Sequence, residues 1–134
     1  MKSWFKSIEN DPENTAYPLS KVLEELTFDQ DGLIPVISQD FQTKEVLMFA
    51  WMNSTSLEET LTTSRMCYWS RSRKAYWRKG ESSGHWQTLK AMSTDCDGDV
   101  LLALVDQEGA ACHTDRRSCF YLKFEQDKIK ILSE

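Results

Sequence analysis

The chain predicts an α+β fold, mostly antiparallel, with about six or seven strands and two or three short helices. Three observations carry this. Apolar runs of strand length recur between turn-forming clusters. Helical spacing of apolar residues is confined to short stretches in the first half. A length of 134 residues, 40% hydrophobic and 28% charged, suits one domain with a modest core.

Taken in order, residues 1–27 read as a lead-in and 28–134 as the main part of a single domain. Up to residue 18 the lead-in is expected to be loosely attached, with Trp4, Phe5 and Ile8 as a short amphipathic piece and a turn-rich 10–14. Leu19, Val22, Leu23 and Leu26 fall at helical spacing, and Ser20 can cap, so a helix is expected over 20–27. Residues 29–32 form a turn. Strands over 33–39 and 45–51 are expected to pair as a hairpin, with Pro35 marking an edge or early position. Asn53 or Ser54 caps a helix that buries Leu57 and Leu61 and runs to about 63. Strands follow over 66–70, 85–92, 100–105 and 118–124, and Ile129 and Ile131 suggest a short last one. Between the first two of these, residues 71–84 suit a functional loop or loose hairpin.

No apolar run approaches the roughly 20 residues of a membrane helix, so no membrane partner is expected. The N-terminus lacks the apolar region of a secretory signal, which leaves a cytoplasmic setting as the default. There the four cysteines point to metal or chemistry rather than disulfides. A net charge of −5 argues against a whole-protein nucleic-acid binder. Yet residues 65–90 hold seven Lys/Arg against one acid, Glu81, an island suited to a small anionic ligand.

The densest chemistry lies in Asp95-Cys96-Asp97-Gly98-Asp99 and Cys112-His113-Thr114-Asp115-Arg116-Arg117-Ser118-Cys119. If the first is near extended, Asp95, Asp97 and Asp99 share one face and Cys96 the other. Carboxylates suit magnesium or calcium, and a thiolate suits zinc. The same residues also make an ordinary hairpin turn. Cys96, Cys112 and Cys119 could converge on zinc and leave a fourth position open. Cys67 could close a four-thiol site, although its apolar neighbours favour a buried free thiol. His113 reads as a ligand, a general base or a structural hydrogen-bonder. Arg116 and Arg117 could hold phosphate, lower thiol pKa values, or be solvated. In residues 68–85 rings alternate with cations: Trp69, Arg71, Arg73, Trp77, Arg78 and Lys79, ending at His85. That composition fits a nucleotide or single-stranded nucleic acid, or an exposed charged hairpin.

Trp69-Ser70-Arg71-Ser72-Arg73, Trp77-Arg78-Lys79-Gly80-Glu81-Ser82-Ser83-Gly84-His85, the Asp-rich turn and the Cys112–Cys119 segment occur in one order over roughly residues 28 to 122. Together they closely resemble the phosphoribosyl-AMP cyclohydrolases of histidine biosynthesis. The resemblance implies a barrel-like sheet capped by short helices in an intertwined homodimer with shared active sites. It implies zinc on Cys96 of one chain and Cys112 and Cys119 of the other, and magnesium on Asp95, Asp97 and Asp99. The reaction implied is hydrolytic opening of the adenine ring of 1-(5-phosphoribosyl)-AMP at N1–C6, giving the phosphoribosylformimino-aminoimidazole carboxamide ribotide. His113 is the expected base. Trp69, Arg71, Arg73, Trp77, Arg78, Lys79, His85, Arg116 and Arg117 are expected to bind the nucleotide substrate. Two positions depart from the family: Asp115, where relatives often have Gly, and Cys67, where they often have His or another residue. Some relatives carry a fused pyrophosphohydrolase domain, which a chain of this length is not expected to hold. The rival reading, a zinc-stabilised single-stranded nucleic-acid-binding module, leaves the three acids unexplained. A zinc deaminase would need His-x-Glu and Pro-Cys-x-x-Cys, which are absent.

Overall fold

A computed structural model describes residues 3–133. The first two residues of the lead-in and the last of the main part lie outside the described residues. Helices α1 (Ser3–Ile8) and α2 (Leu19–Glu25) precede strands β1 (Ile34–Asp40) and β2 (Val46–Met52). Helix α3 (Ser54–Thr63) leads to β3 (Cys67–Ser70), β4 (Ala75–Arg78), β5 (Gln87–Thr94) and β6 (Leu101–Gln107). A separate hairpin, β7 (Leu122–Glu125) and β8 (Lys128–Ile131), follows. Among the described residues no helix is long and apolar enough to cross a membrane.

The main sheet has the order β4-β3-β2-β1-β6-β5. All its neighbours are antiparallel except β1 and β6, which are parallel. The fold is therefore α+β and mostly antiparallel, as the runs predict. The sheet also curls back on itself. Ahead of β3, Arg65 bridges Thr88 of β5, while Met66 N–H donates to Gln87 O at 3.1 Å and Leu89 N–H to Ser64 O at 2.8 Å. The result is a half-barrel stitched at one end.

Period-two alternation decides what fills it. Strand β1 buries Ile34, Val36, Ser38 and Asp40; β6 buries Leu101, Ala103, Val105 and Gln107. The polar members of this set are satisfied. Tyr68 Oη lies 2.5 Å from Ser38 Oγ and donates to Gln87 Oε1 at 2.6 Å; Gln87 Nε2 donates to Gln107 Oε1 at 2.6 Å. Pro35 sits early in β1, before pairing with β6 begins at Val36, so its missing N–H costs no bond on that side.

The helices close the apolar end. Asn53 caps α3 in a reciprocal box with Ser56, and Leu57 is buried. Helix α2 starts one residue before the expected position and has no side-chain cap: Pro18, not Ser20, precedes it, with its fixed φ already suited to that junction. The lead-in is not loosely attached. Phe5 is only 7% exposed and joins Leu26, Leu57 and Leu101 in one cluster, because apolar area there has nowhere drier to go. The strand expected over 118–124 is also displaced. Residues 118–121 are irregular because Cys119 N–H and Ser118 Oγ donate to Leu47 O and Val46 O at the start of β2; β7 begins only at Leu122.

Candidate active site

Two loops converge on one cleft. The β3–β4 hairpin and the segment that follows it through the Gly80–Gly84 turn supply Arg73, Trp77, Arg78, Lys79, Ser82, Ser83 and His85; the segment after β6 supplies Cys112, His113, Asp115 and Cys119. The cleft is about 450 Å³. The basic aromatic stretch is thus the β3–β4 hairpin and the turn beyond it. Gly80, at φ 94°, lets that turn pass close to Trp86: a Cβ there would meet Trp86 Cα at 2.6 Å.

At the cleft floor the two thiols meet. Cys112 is buried and accepts from Thr114 Oγ1 at 3.0 Å. Burial opposes its ionisation, but Thr114, the Cys119 thiol and Arg116 outweigh that and lower its pKa. Burial and the Cys112 charge push the Cys119 thiol up to about 11. Two thiols within hydrogen-bond reach of one another offer a pair of soft-metal donors. Lys79 stands over the Trp77 ring at 5.2 Å, donates to Ala111 O at 2.6 Å, and has its pKa lowered by burial, against the pull of the two thiols. His113 is exposed at the rim. His85 Nδ1 lies 3.2 Å from Ala110 O, which leaves Nε2 as the free ring nitrogen.

Cys67 is fully buried, and burial followed by Glu59 pushes its thiol up to about 12. It is an inert core thiol, outside the cleft. Asp115 has φ 69°, a left-handed position that suits glycine and that Asp tolerates. Its N–H closes the turn onto Cys112 O at 3.0 Å.

The Asp-rich segment departs from expectation. It is not extended, and its acids and thiol do not take opposite faces. It is the turn between β5 and β6, closed by Gly98 N–H to Asp95 O at 3.1 Å and Asp99 N–H to Asp95 Oδ1 at 3.2 Å. Gly98, at φ 66°, makes the bend that alternation cannot. The ligand atoms of Asp95, Cys96 and Asp97 consequently lie within 4.8 Å of one another, all exposed. Partial desolvation and then the Asp95 and Asp97 charges hold Asp99 above the ordinary carboxylate range, so acid crowding extends along the turn. Hard oxygens so placed fit a divalent cation, and the adjacent thiol fits a soft one. Among the described residues this is the one set of three potential ligands that converges; Cys96 does not join Cys112 and Cys119 within a chain.

The expected substrate residues divide. Trp69 and Arg71 line a second cleft of about 540 Å³ with Phe49, Trp51 and Trp77, where Arg71 stacks on Trp51 at 4.6 Å. Arg116 and Arg117 line a third. Arg116 stacks on Tyr121 at 3.9 Å, and Arg117 is bonded to Asp40, Glu45 and the carbonyls of Gln107 and Gly109. Arg78 forms a forked pair with Glu59, at 2.7 and 2.8 Å. Sequence reasoning missed Glu59, Asp40 and the hydroxyls of Ser82 and Ser83. The two serines sit between Gly80 and Gly84, in the turn that lines the cleft.

The sequence matches the phosphoribosyl-AMP cyclohydrolase family over residues 48–121. It is 53% identical over 129 residues to the phosphoribosyl-AMP cyclohydrolase of Hydrogenovibrio crunogenus, covering 96% of this chain and 88% of the relative. It is 57% identical over 112 residues to that of Magnetococcus marinus, covering 84% and 87%. With that of Alcanivorax borkumensis it shares 53% over 127 residues, covering 95% and 89%. A cationic cleft floored by paired thiols, an acid turn and these matches lead to one conclusion: the chain is an enzyme and belongs to the phosphoribosyl-AMP cyclohydrolase family.

Proposed function

We propose that this chain hydrolyses the adenine ring of 1-(5-phosphoribosyl)-AMP at N1–C6, a step of histidine biosynthesis, as a homodimer with shared sites. Zinc would be held by Cys112 and Cys119 of one protomer and Cys96 of its partner, and magnesium by Asp95, Asp97 and Asp99. The thiol pair at the floor of the cationic cleft carries this reading. Zinc, when bound, supplies the Lewis acidity that makes water a nucleophile near neutral pH.

The chain's own residues account for the rest. N1-ribosylation makes C6 electrophilic. As water oxygen bonds to C6, His113 at the rim accepts its proton. N1–C6 then breaks, N1 takes a proton, and the C6 amino group remains as the carboxamide, so no ammonia leaves. Arg73, Lys79, Ser82 and Ser83 face the cleft as phosphate donors, and Trp77 offers a ring face. Arg78 is preorganised by Glu59, and burial excludes water around Lys79. A homodimer is supported by the β7–β8 hairpin. Leu122 pairs with Ile131 and Phe124 with Ile129, which puts four exposed apolar side chains on one face. A lone hairpin of this size needs a partner surface.

Cys112→Ser is expected to lose bound zinc and turnover together, measured by metal analysis and by product absorbance. An active, zinc-free variant would contradict the reading. The nucleic-acid module predicts salt-dependent oligonucleotide binding, whereas the cyclohydrolase predicts none.

A further inference from the structure

The acid turn has an outer side and a back, and the back is covered by the N-terminal lead-in. Asp95, Cys96, Asp97 and Asp99 are all exposed, but Gly98 between them is buried. The edge of the Phe5 ring covers it: a Cβ on Gly98 would overlap that ring. Phe5 is itself held by Trp4, edge-on at 5.0 Å, and Trp4 by Tyr17 at 5.4 Å. The end of the lead-in makes a second attachment, where Thr27 N–H donates to Gly98 O at 2.8 Å. Two points thirty residues and less from the N-terminus thus fix one residue of the turn, by a ring on one side and a hydrogen bond on the other.

We propose that Phe5 and Thr27 are positioning residues for the turn's cation site. This rests on the reading of Asp95, Asp97 and Asp99 as cation ligands. The physical reason is charge. Three carboxylates within one turn repel one another, and an exposed turn left to itself relieves that by opening. Holding Gly98 from behind keeps the side chains converged before the cation arrives, so the ordering cost is met by the fold rather than by binding. The same clamp sets where Cys96 points, since it lies two residues from Gly98. A lead-in that is outside the catalytic cleft would therefore govern metal affinity.

The test is Mn²⁺ binding to the full-length chain, followed by electron paramagnetic resonance. Mn²⁺ is the probe because it reports free and bound ion directly. Asp97→Asn should abolish tight binding. Phe5→Ala should weaken it about tenfold, as loss of outer-shell support commonly does. Phe5→Leu, which keeps an apolar plug behind Gly98, should recover most of the affinity. Cys67→Ala is the control, a truncation of a fully buried β3 side chain outside the cluster that holds Phe5, and should melt earlier yet bind as wild type below its melting range. If Phe5→Ala does not fold, Thr27→Pro carries the same test. It deletes the N–H to Gly98 O, and Leu26, at φ −56° and ψ 141°, already has the backbone that precedes proline. A folded Phe5→Ala or Thr27→Pro that binds Mn²⁺ as tightly as wild type would overturn the clamp. Equal weakening by Cys67→Ala would also overturn it. A wild-type chain that binds no Mn²⁺ would instead remove the cation reading, and the clamp with it.

Discussion

Asp40 accepts the N–H groups of Gln42 and Thr43 at 2.8 and 2.9 Å and pairs with Arg117. Those contacts, the Thr43 bond foremost, hold its carboxyl below the ordinary range despite burial. A depressed native pKa stabilises the fold above the unfolded value near 4 and loses that contribution as pH falls through the native value. Asp40→Asn should therefore cost about 1–3 kcal/mol at neutral pH in urea titrations, with the difference from wild type shrinking towards pH 3. At this scale the sequence is legible by chemical type. His113, Cys112, Cys119 and Lys79 share one cleft, as their motifs suggest. Partners are not legible. Arg78 meets Glu59 from 19 residues away and Arg117 meets Asp40 from 77, so neither arginine's charge is as open as composition implies.

Elements defined by local rules are legible in outline. The Asn53 cap, the β1 alternation and the β1–β2 hairpin act over a few residues and are met within one or two positions. Elements that depend on distant contacts are not. Nothing local announces that residues 64–66 bond to 87–89, or that Phe5 plugs the Asp turn. That turn shows the conflict plainly: acid alternation suggests an extended strand, while Gly98 and the Asp95 carboxylate favour a bend, and the bend wins. Close approach also explains Gly80. With φ 94° and Trp86 backbone 2.6 Å from a would-be Cβ, Gly80→Ala should lower stability by about 2–3 kcal/mol. It should also reduce kcat/KM, because Lys79 and Ser82 move with the turn. Unchanged denaturant midpoint and turnover would count against this.

For the molecule as a whole, the half-barrel carries the thiol pair and the acid turn on separate loops, and one chain does not unite Cys96 with Cys112 and Cys119. A single sequence has no signature for which copy supplies a ligand; only the family resemblance addresses it. The apolar face of β7–β8 points to pairing, and Phe124→Ser with Ile129→Ser should shift the chain towards monomer in sedimentation while lowering activity. The shared-site claim has a sharper test. Cys96→Ser and Cys112→Ser, each inactive alone, are unfolded together, refolded as an equal mixture and assayed with phosphoribosyl-AMP. Sites built across protomers leave one intact site in each mixed dimer, so about a quarter of wild-type activity should return under random pairing. A mixture as inactive as its parents, with mixed dimers present, would contradict a zinc site shared between two chains.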